Sequence, residues 1–199
     1  NHFLRYYPFN KAKLCVIPGG VDIEEFKPSD SREETSFIRK KLKLKEETPL
    51  LLTVRRLEQR MGLENLIFAA GILCRRNPEL KFQMVIIGKG RLEDRLAQLI
   101  LKQEVSQCVQ LVGLVSRETL PLYFRCADMF VLPTTAIEGF GLVTAEALSS
   151  GIPVMGTPVG ATEEILKQVD EKLLFHKTYP EALARGIETY LKSSKVIYS

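Results

Sequence analysis

The sequence has few of the residues on which several common kinds of site depend. Only two of its 199 residues are histidines, His2 and His176. It has no Ser-His-Asp grouping, no cluster with metal-ligand spacing, and no glycine-rich loop ending in Gly-Lys-Ser/Thr. We therefore expect no histidine-based hydrolase, no metal centre and no P-loop nucleotide site. His176 is expected to be a structural surface residue.

Cysteine spacing, run length and net charge argue against three further classes. The four cysteines are far apart and have apolar neighbours, which predicts free thiols in a reducing compartment; they are Cys15, Cys74, Cys108 and Cys126. No apolar run has the length of a membrane span, and the first residues do not resemble a signal peptide, so we expect a cytoplasmic protein. The net charge of +4 is small and scattered, which does not favour nucleic acid. The densest basic run, residues 39–45, is predicted to be a solvated helix face.

Apolar runs alternate with segments of helical periodicity along the chain. Strands are predicted over residues 13–18, 49–56, 81–88, 108–113, 129–134 and 152–157. Helices are predicted over 31–44, 62–76, 91–103, 116–126 (with Ser116 as N-cap), a segment ending at 149–151, 161–168 and 180–192. Unbroken apolar strands are buried on both faces, as in a parallel sheet. The pattern predicts one α/β domain over 1–199, a Rossmann-like doubly wound parallel sheet.

Polar and glycine-rich residues follow the predicted strands. They are Arg55-Arg56, Gly88-Lys89-Gly90, Gly113, residues 138–141 and residues 156–160. Ligands of such sheets bind outside the carboxyl ends of the strands, so a site is expected there. The arginines would suit a diphosphate beside a helix N-terminus, although surface charges explain them equally well. Gly88-Lys89-Gly90 lacks the third glycine of a dinucleotide fingerprint and is as consistent with a tight turn.

The stretch "EGFGLVTAE" (138–146) places two glutamates around Gly-Phe-Gly. Its helix leaves Glu146 almost no polar face. A carboxylate buried there without a partner costs several kcal/mol. Either a ligand supplies the missing donors, or the glutamates form a capping or salt-bridged pair.

Several segments together resemble one family. "EGFGLVTAE" followed by "ALSSGIPVMGTPVGATEEIL" resembles the donor-site pattern of family 4 retaining glycosyltransferases, which have the two-domain GT-B architecture. "VIPGGVDIEEFKP", "LLTVRRLEQRMGLENLIFAA", "MVIIGKG", "VQLVGLVSRETLPLYFRCADMFVLPT" and "PEALARGI" are similar to other family segments in the same order. The resemblance extends from about residue 13 to 192.

The resemblance implies a set of donor-binding residues. They are Arg56, Arg60, Gly88, Gly90, Gly113, Glu138, Gly139, Phe140, Gly141, Leu142 and Glu146, and the catalytic residues among them are Glu138 and Arg56. In this family pattern Glu138 would accept hydrogen bonds from sugar hydroxyls, and Glu146 from the ribose. The N–H groups of residues 140–142 would face the sugar and phosphates, Gly113 would edge the base, and Arg56 would stabilise the leaving diphosphate.

The resemblance also implies a function. The chain would be the carboxyl-terminal half of a retaining hexosyltransferase of polysaccharide or glycolipid synthesis, binding a UDP-, GDP- or ADP-sugar without a cofactor or metal. Residues 1–28 would form the interdomain and first-strand region. The chain begins without Met, so we expect the amino-terminal acceptor domain, through which peripheral membrane association would occur, to be missing and this fragment to transfer no sugar. The alternatives are a non-catalytic nucleotide-sugar-binding or regulatory domain and half of a sugar-nucleotide epimerase.

Three positions depart from the family pattern. Met61 stands where the family has a phosphate-binding lysine, and the neighbouring Arg60 is a candidate replacement. Gly19 and Ala161 stand where asparagine and glycine are frequent, and these two departures are milder.

Overall fold

The computed structural model describes residues 19–139 and 141–198, and it contains one parallel sheet. The strands are β1 (Leu50–Val54), β2 (Gln83–Ile87), β3 (Val109–Gly113), β4 (Met129–Leu132) and β5 (Val154–Gly156). Their order across the sheet is β3-β2-β1-β4-β5, and every pair is parallel. The predicted Rossmann-like sheet is confirmed, with strands a few residues shorter than the apolar runs. The strand predicted over 13–18 lies outside the described residues.

Seven helices connect and cover these strands within the described part of the chain. They are α1 (Arg32–Lys41), α2 (Leu63–Arg76), α3 (Glu93–Lys102), α4 (Leu120–Cys126), α5 (Leu142–Ser149), α6 (Ala161–Val169) and α7 (Pro180–Tyr198). Short 3-10 turns cover Gln59–Met61 and Glu171–Leu173. The helix predicted after Ser116 begins three residues later, at Leu120. Ser116 still makes the contacts expected of an N-cap, within the turn that leads into α4: its hydroxyl accepts a hydrogen bond from the Thr119 amide at 3.3 Å, and its carbonyl accepts one from the Leu120 amide at 3.0 Å. A serine stabilises such a turn as readily as a helix N-terminus.

The two faces of the sheet carry separate apolar clusters. Successive strand side chains point to opposite faces, so Leu51 joins one cluster while Leu50 and Leu52 join the other. The first cluster is closed by α2, α3 and α7, and the second by α1, α4, α5 and α6. Helices on both faces explain why the strands are continuous apolar runs.

Arg39 corrects the prediction of a solvated basic face. Lys40 and Lys41 are exposed as expected, but Arg39 is only 2% exposed. Its Nη2 lies 2.7 Å from Asp128 Oδ2 and donates to the Cys126 carbonyl at 2.8 Å. Its Nη1 donates to a carbonyl that follows α1, at 2.6 Å. The guanidinium is buried because the backbone and one carboxylate satisfy its donors.

The three described cysteines are free, and two of them touch. Cys126 is buried, whereas Cys74 and Cys108 are half-buried with their sulfur atoms 3.5 Å apart. The thiol of Cys108 stabilises the Cys74 thiolate and lowers the pKa of Cys74 to about 7. Cys15 lies outside the described residues.

The buried Arg39 contact yields a stability prediction. Arg39→Met removes the buried ion pair between Arg39 and Asp128, and breaking such a pair costs about 3–5 kcal/mol of the free energy of unfolding. Lys40→Met removes a neighbouring exposed charge on the same helix and should change stability by less than about 0.5 kcal/mol. Urea unfolding of both variants measures the difference. Similar losses in the two would contradict a structural role for Arg39.

Candidate functional site

A cavity opens where the strand order changes direction. β2 lies on one side of β1 and β4 on the other, so the loops after β1 and β4 diverge and leave a crevice at the carboxyl edge. The cavity there has a volume of about 660 Å³. Its lining residues are Val54, Arg55, Arg56, Arg60, Met61, Ile87, Gly88, Lys89, Leu114, Val115, Leu120, Ile137, Glu138, Gly139 and Val143.

The loop that follows β4 is held against two glycines. A Cβ on Gly62, which has a φ of 71°, would lie 1.8 Å from the Pro133 carbonyl oxygen. A Cβ on Gly160 would lie 2.2 Å from the Glu138 carbonyl oxygen. Thr135 donates to the Arg60 carbonyl through its amide at 2.9 Å and its hydroxyl at 3.1 Å. This close packing, which only glycine permits, fixes the backbone that carries Glu138.

A buried ion pair joins the ends of β1 and β4. Nη2 of Arg55 contacts Oε2 of Glu138, and each side chain is 8% exposed. The same nitrogen lies 2.9 Å from Thr134 Oγ1 and 2.9 Å from Met61 Sδ. The Thr134 hydroxyl donates to Glu138 Oε2 at 3.0 Å. Oε2 therefore has two donors, whereas Oε1 accepts no hydrogen bond from the described residues.

Sequence reasoning did not select Arg55 or Thr134 as site residues. A signal for Arg55 was nevertheless present. Successive side chains at a strand end point in opposite directions, so one of the two arginines after β1 was bound to point differently from the other. Arg55 is the buried one and Arg56 is exposed.

Ile137 has strained backbone at the rim of the cavity. Its φ is 55°, a region that β-branched residues rarely adopt, and its side chain is 78% exposed. Arg60 Nη1 donates to the Ile137 carbonyl at 2.5 Å. Arg60 thus holds a strained loop, and strain of this kind costs about 1–3 kcal/mol and concentrates at functional sites.

The charge of the cavity is strongly positive. Its lining includes four basic residues and one acidic residue, Glu138, which is already paired. The side chains of Arg56 and Lys89 are exposed and form no hydrogen bond or ion pair with any residue of 19–139 or 141–198. The cavity can therefore accept an anion with more than one negative charge.

The cavity lining also includes apolar side chains and the start of a helix. Leu114, Val115 and Leu120 line the cavity, and Leu114 is 73% exposed. Helix α5 begins after Gly141, whose φ is 72°, so the first amides of the helix lie beside the cavity wall at Val143. Unpaired amides at a helix N-terminus favour anionic ligands.

The structure brings together only some of the predicted site residues. Arg56, Arg60, Gly88, Glu138 and Gly139 line the cavity. The others described are not among the lining residues; these are Gly90, Gly113, Gly141, Leu142 and Glu146. Phe140 lies outside the described residues. The roles of all these residues stay predictions.

Glu146 is half-buried beside another acidic residue rather than in the cavity wall. Burial, and secondarily the charge of Glu25, raise the pKa of Glu146 above its ordinary value. Its carboxylate has no hydrogen bond or ion pair within the described residues. This is the unpartnered glutamate that the apolar helix predicted.

The described residues contain neither a metal-ligand cluster nor a membrane-spanning helix. No three potential metal ligands among His, Cys, Asp and Glu come together there. No helix in the same ranges is both long and apolar enough to cross a membrane.

Fold and site together define a Rossmann-like domain with a cationic ligand cavity at its switch point. The sequence model of the family described as "Glycosyl transferases group 1" matches residues 34–196. The chain belongs to this family. The expected resemblance is confirmed.

Relatives and a solved structure agree with this assignment. A protein named only as a glycosyltransferase from Methanocaldococcus jannaschii is 33% identical over 180 residues, which cover 90% of this chain and 45% of that protein. The GDP-mannose-dependent monoacylated alpha-(1-6)-phosphatidylinositol monomannoside mannosyltransferase of Corynebacterium glutamicum is 34% identical and is matched over 75% of this chain and 40% of its own length. HepE of Anabaena, solved in complex with UDP-glucose, shares the fold with a TM-score of 0.74 at 22% identity, over 90% of this chain and 48% of its own. The chain therefore spans about half the length of the proteins it matches.

The environment of Glu146 predicts that its charge destabilises the ligand-free protein. Because the folded-state pKa is raised, the folded chain retains this proton longer than the unfolded chain, and stability falls as pH rises from 4.5 through the raised value. Glu146→Gln should match the parent below pH 4.5 and have a higher unfolding temperature at neutral pH. The exposed Glu164→Gln is the control and should show no such pH-dependent difference. A Glu146→Gln variant less stable than the parent at neutral pH would contradict this account.

Proposed function

We propose that this chain is the nucleotide-sugar-binding half of a retaining glycosyltransferase. The observation that carries the proposal is the cavity at the switch point, whose lining combines basic side chains with apolar ones. A nucleoside diphosphate sugar has the complementary arrangement, with an aromatic base, a doubly charged diphosphate and a neutral polyol. Family membership and the named activities of the relatives support the same substrate class.

The diphosphate would lie between the unpaired cations and the start of α5. Arg56 and Lys89 have free charge to offer, and the first amides of α5 add the positive end of a helix. In glycosyl transfer the bond from the anomeric carbon to the diphosphate breaks, and negative charge grows on the departing oxygen. Fixed positive groups stabilise that charge most when it has fully developed, which accelerates the reaction.

The base and the sugar would lie on either side of the diphosphate. Leu114, Val115 and Leu120 give the base an apolar surface. Glu138 Oε1 is open to a sugar hydroxyl, while Oε2 is occupied. The ribose is proposed to reach Glu146, whose unsatisfied carboxylate would gain two donors from a diol.

The other half of the full-length protein is proposed to bind the acceptor. The matched relatives are about twice as long as the segment that they share with this chain. A donor site alone cannot position a nucleophile against the anomeric carbon. We therefore propose that transfer needs the remaining half, and that the present chain binds donors without transferring sugar.

Calorimetric titration of the chain with UDP-glucose, GDP-mannose and ADP-glucose tests the proposal. We expect saturable binding of at least one, competed by the matching nucleoside diphosphate and weakened by high salt, since the contacts are largely ionic. Inorganic sulfate serves as the control for unspecific anion binding and should compete only weakly. Absence of binding by all three donors and their diphosphates would refute the proposed function.

Arg56 and Arg60 should contribute unequally to binding of the nucleoside diphosphate. Arg56→Ala removes a free charge and should weaken nucleoside diphosphate binding by about ten- to hundred-fold. Arg60→Ala should weaken it less, because Arg60 is engaged with the Ile137 carbonyl. The same titration compares the two variants. The reverse ranking would show that Arg60 leaves the loop to contact the ligand.

A further inference from the structure

Arg55 has a function that neither the family pattern nor the proposed function assigns. We infer that Arg55 positions Glu138 for the donor sugar, and that its guanidinium occupies the space into which a lysine at position 61 would extend. The inference rests on the proposed function. It makes Arg55 a positioning residue, since its contacts act on the sugar through Glu138.

The contacts of Arg55 form a closed network at the wall of the cavity. Its Nη2 reaches Glu138 Oε2 and Thr134 Oγ1, and the Thr134 hydroxyl donates to the same Oε2. With one oxygen held by two donors, rotation of the Glu138 carboxylate is blocked. Oε1 is left near Gly141, since a Cβ built there would lie 3.9 Å from it. The free acceptor is thus fixed at the start of α5, beside the proposed diphosphate.

Met61 and Arg55 are matched in space. Met61 is 4% exposed, and its Sδ lies 2.9 Å from Arg55 Nη2. A lysine at 61 would extend two bonds beyond the place of that sulfur and bring its ammonium to the point that the guanidinium occupies. Two cations cannot share this small buried volume without strong repulsion. The absence of a lysine at 61 and the presence of an arginine at 55 are therefore linked, because only one of the two cations fits in this volume.

Arg60, the replacement suggested by sequence, makes different contacts. Its Nη1 donates to the Ile137 carbonyl, and among the basic residues of the cavity Arg55 alone contacts Glu138 within the described chain. Arg55, directly after β1, is the cavity cation that contacts Met61 in the described chain.

The arrangement is poorly suited to stability alone. Arg55 Nε is buried without a hydrogen-bond partner in the described residues, and an unsatisfied buried donor costs free energy. A buried ion pair is often no more stabilising than apolar side chains of the same size. A residue that only filled this space would be better replaced by an aliphatic one, so a role towards a ligand explains the guanidinium.

A set of variants of the 199-residue chain tests the inference. Arg55→Met, Glu138→Gln and the double variant Arg55→Met/Glu138→Gln form a cycle, and Arg55→Met/Met61→Lys exchanges the cation between positions. Affinity is measured for the donor sugar nucleotide that binds best in the titration above and for its nucleoside diphosphate. Urea unfolding of each variant confirms that it is folded.

The expected result distinguishes positioning from fold stability. Arg55→Met and Glu138→Gln should each weaken the sugar nucleotide by about ten-fold or more while changing the nucleoside diphosphate much less, because only the sugar meets Glu138. The double variant should bind the sugar nucleotide at least as tightly as whichever single variant has the lower affinity. The cation exchange should recover most of the lost affinity. Arg91→Met, an exposed arginine paired with Glu58 outside the cavity, is the control and should bind both ligands as the parent does.

Three results would overturn the inference. The first is that Arg55→Met lowers the affinity for both ligands equally. The second is that the fold-losses of affinity in the two single variants multiply in the double variant. The third is that the exchange variant is folded but recovers no affinity. These failures leave the proposed function intact when the parent binds the diphosphate. A parent that binds neither ligand overturns the proposed function and the inference with it.

Discussion

The ion pair between Arg55 and Glu138 links the two strand ends between which the site forms. β1 and β4 are neighbours in the sheet, but their loops diverge and leave a crevice. Only non-covalent contacts between the loops, such as this ion pair, can fix the shape of the crevice. The pair lies in the wall of the crevice. The Thr134 hydroxyl accepts a hydrogen bond from Arg55 and donates one to Glu138. The position of the acidic group, and the part of it that faces a ligand, both follow from this contact.

The backbone around the pair is constrained as closely as the side chains. Gly62 and Gly160 allow the loop after β4 to approach α2 and the start of α6 at distances that any Cβ would prevent. The cost of this packing appears at Ile137, whose φ of 55° is unfavourable for a β-branched residue. Arg60 offsets that cost through the Ile137 carbonyl. One arginine therefore shapes the loop, while another orients its carboxylate.

The fold could be predicted well from the sequence, because the pattern of apolar residues depends mainly on which residues are buried. All five described strands coincide with apolar runs, since helices cover both faces of the sheet. The predictions that the sequence could not make concern the direction in which a side chain points. Arg39 was predicted to be a surface charge, and Arg55 was left open between a surface charge and a diphosphate ligand. Only three-dimensional packing shows that carbonyls or a carboxylate lie within reach of these arginines. The helix start near Ser116 differs by three residues for another reason, since one hydroxyl suits a turn and a helix cap alike.

Glu138 and Glu146, the two glutamates proposed to contact the donor, are held in different ways. Glu138 is satisfied on one oxygen by the protein itself, so its geometry is set before any ligand binds. Glu146 has no donor from the described residues, and burial beside Glu25 disfavours its charge. A ligand that donates hydrogen bonds to Glu146 would relieve that unfavourable state, which adds to its affinity. Preorganisation at one glutamate therefore favours accuracy of position, and unsatisfied charge at the other favours the bound state over the free one.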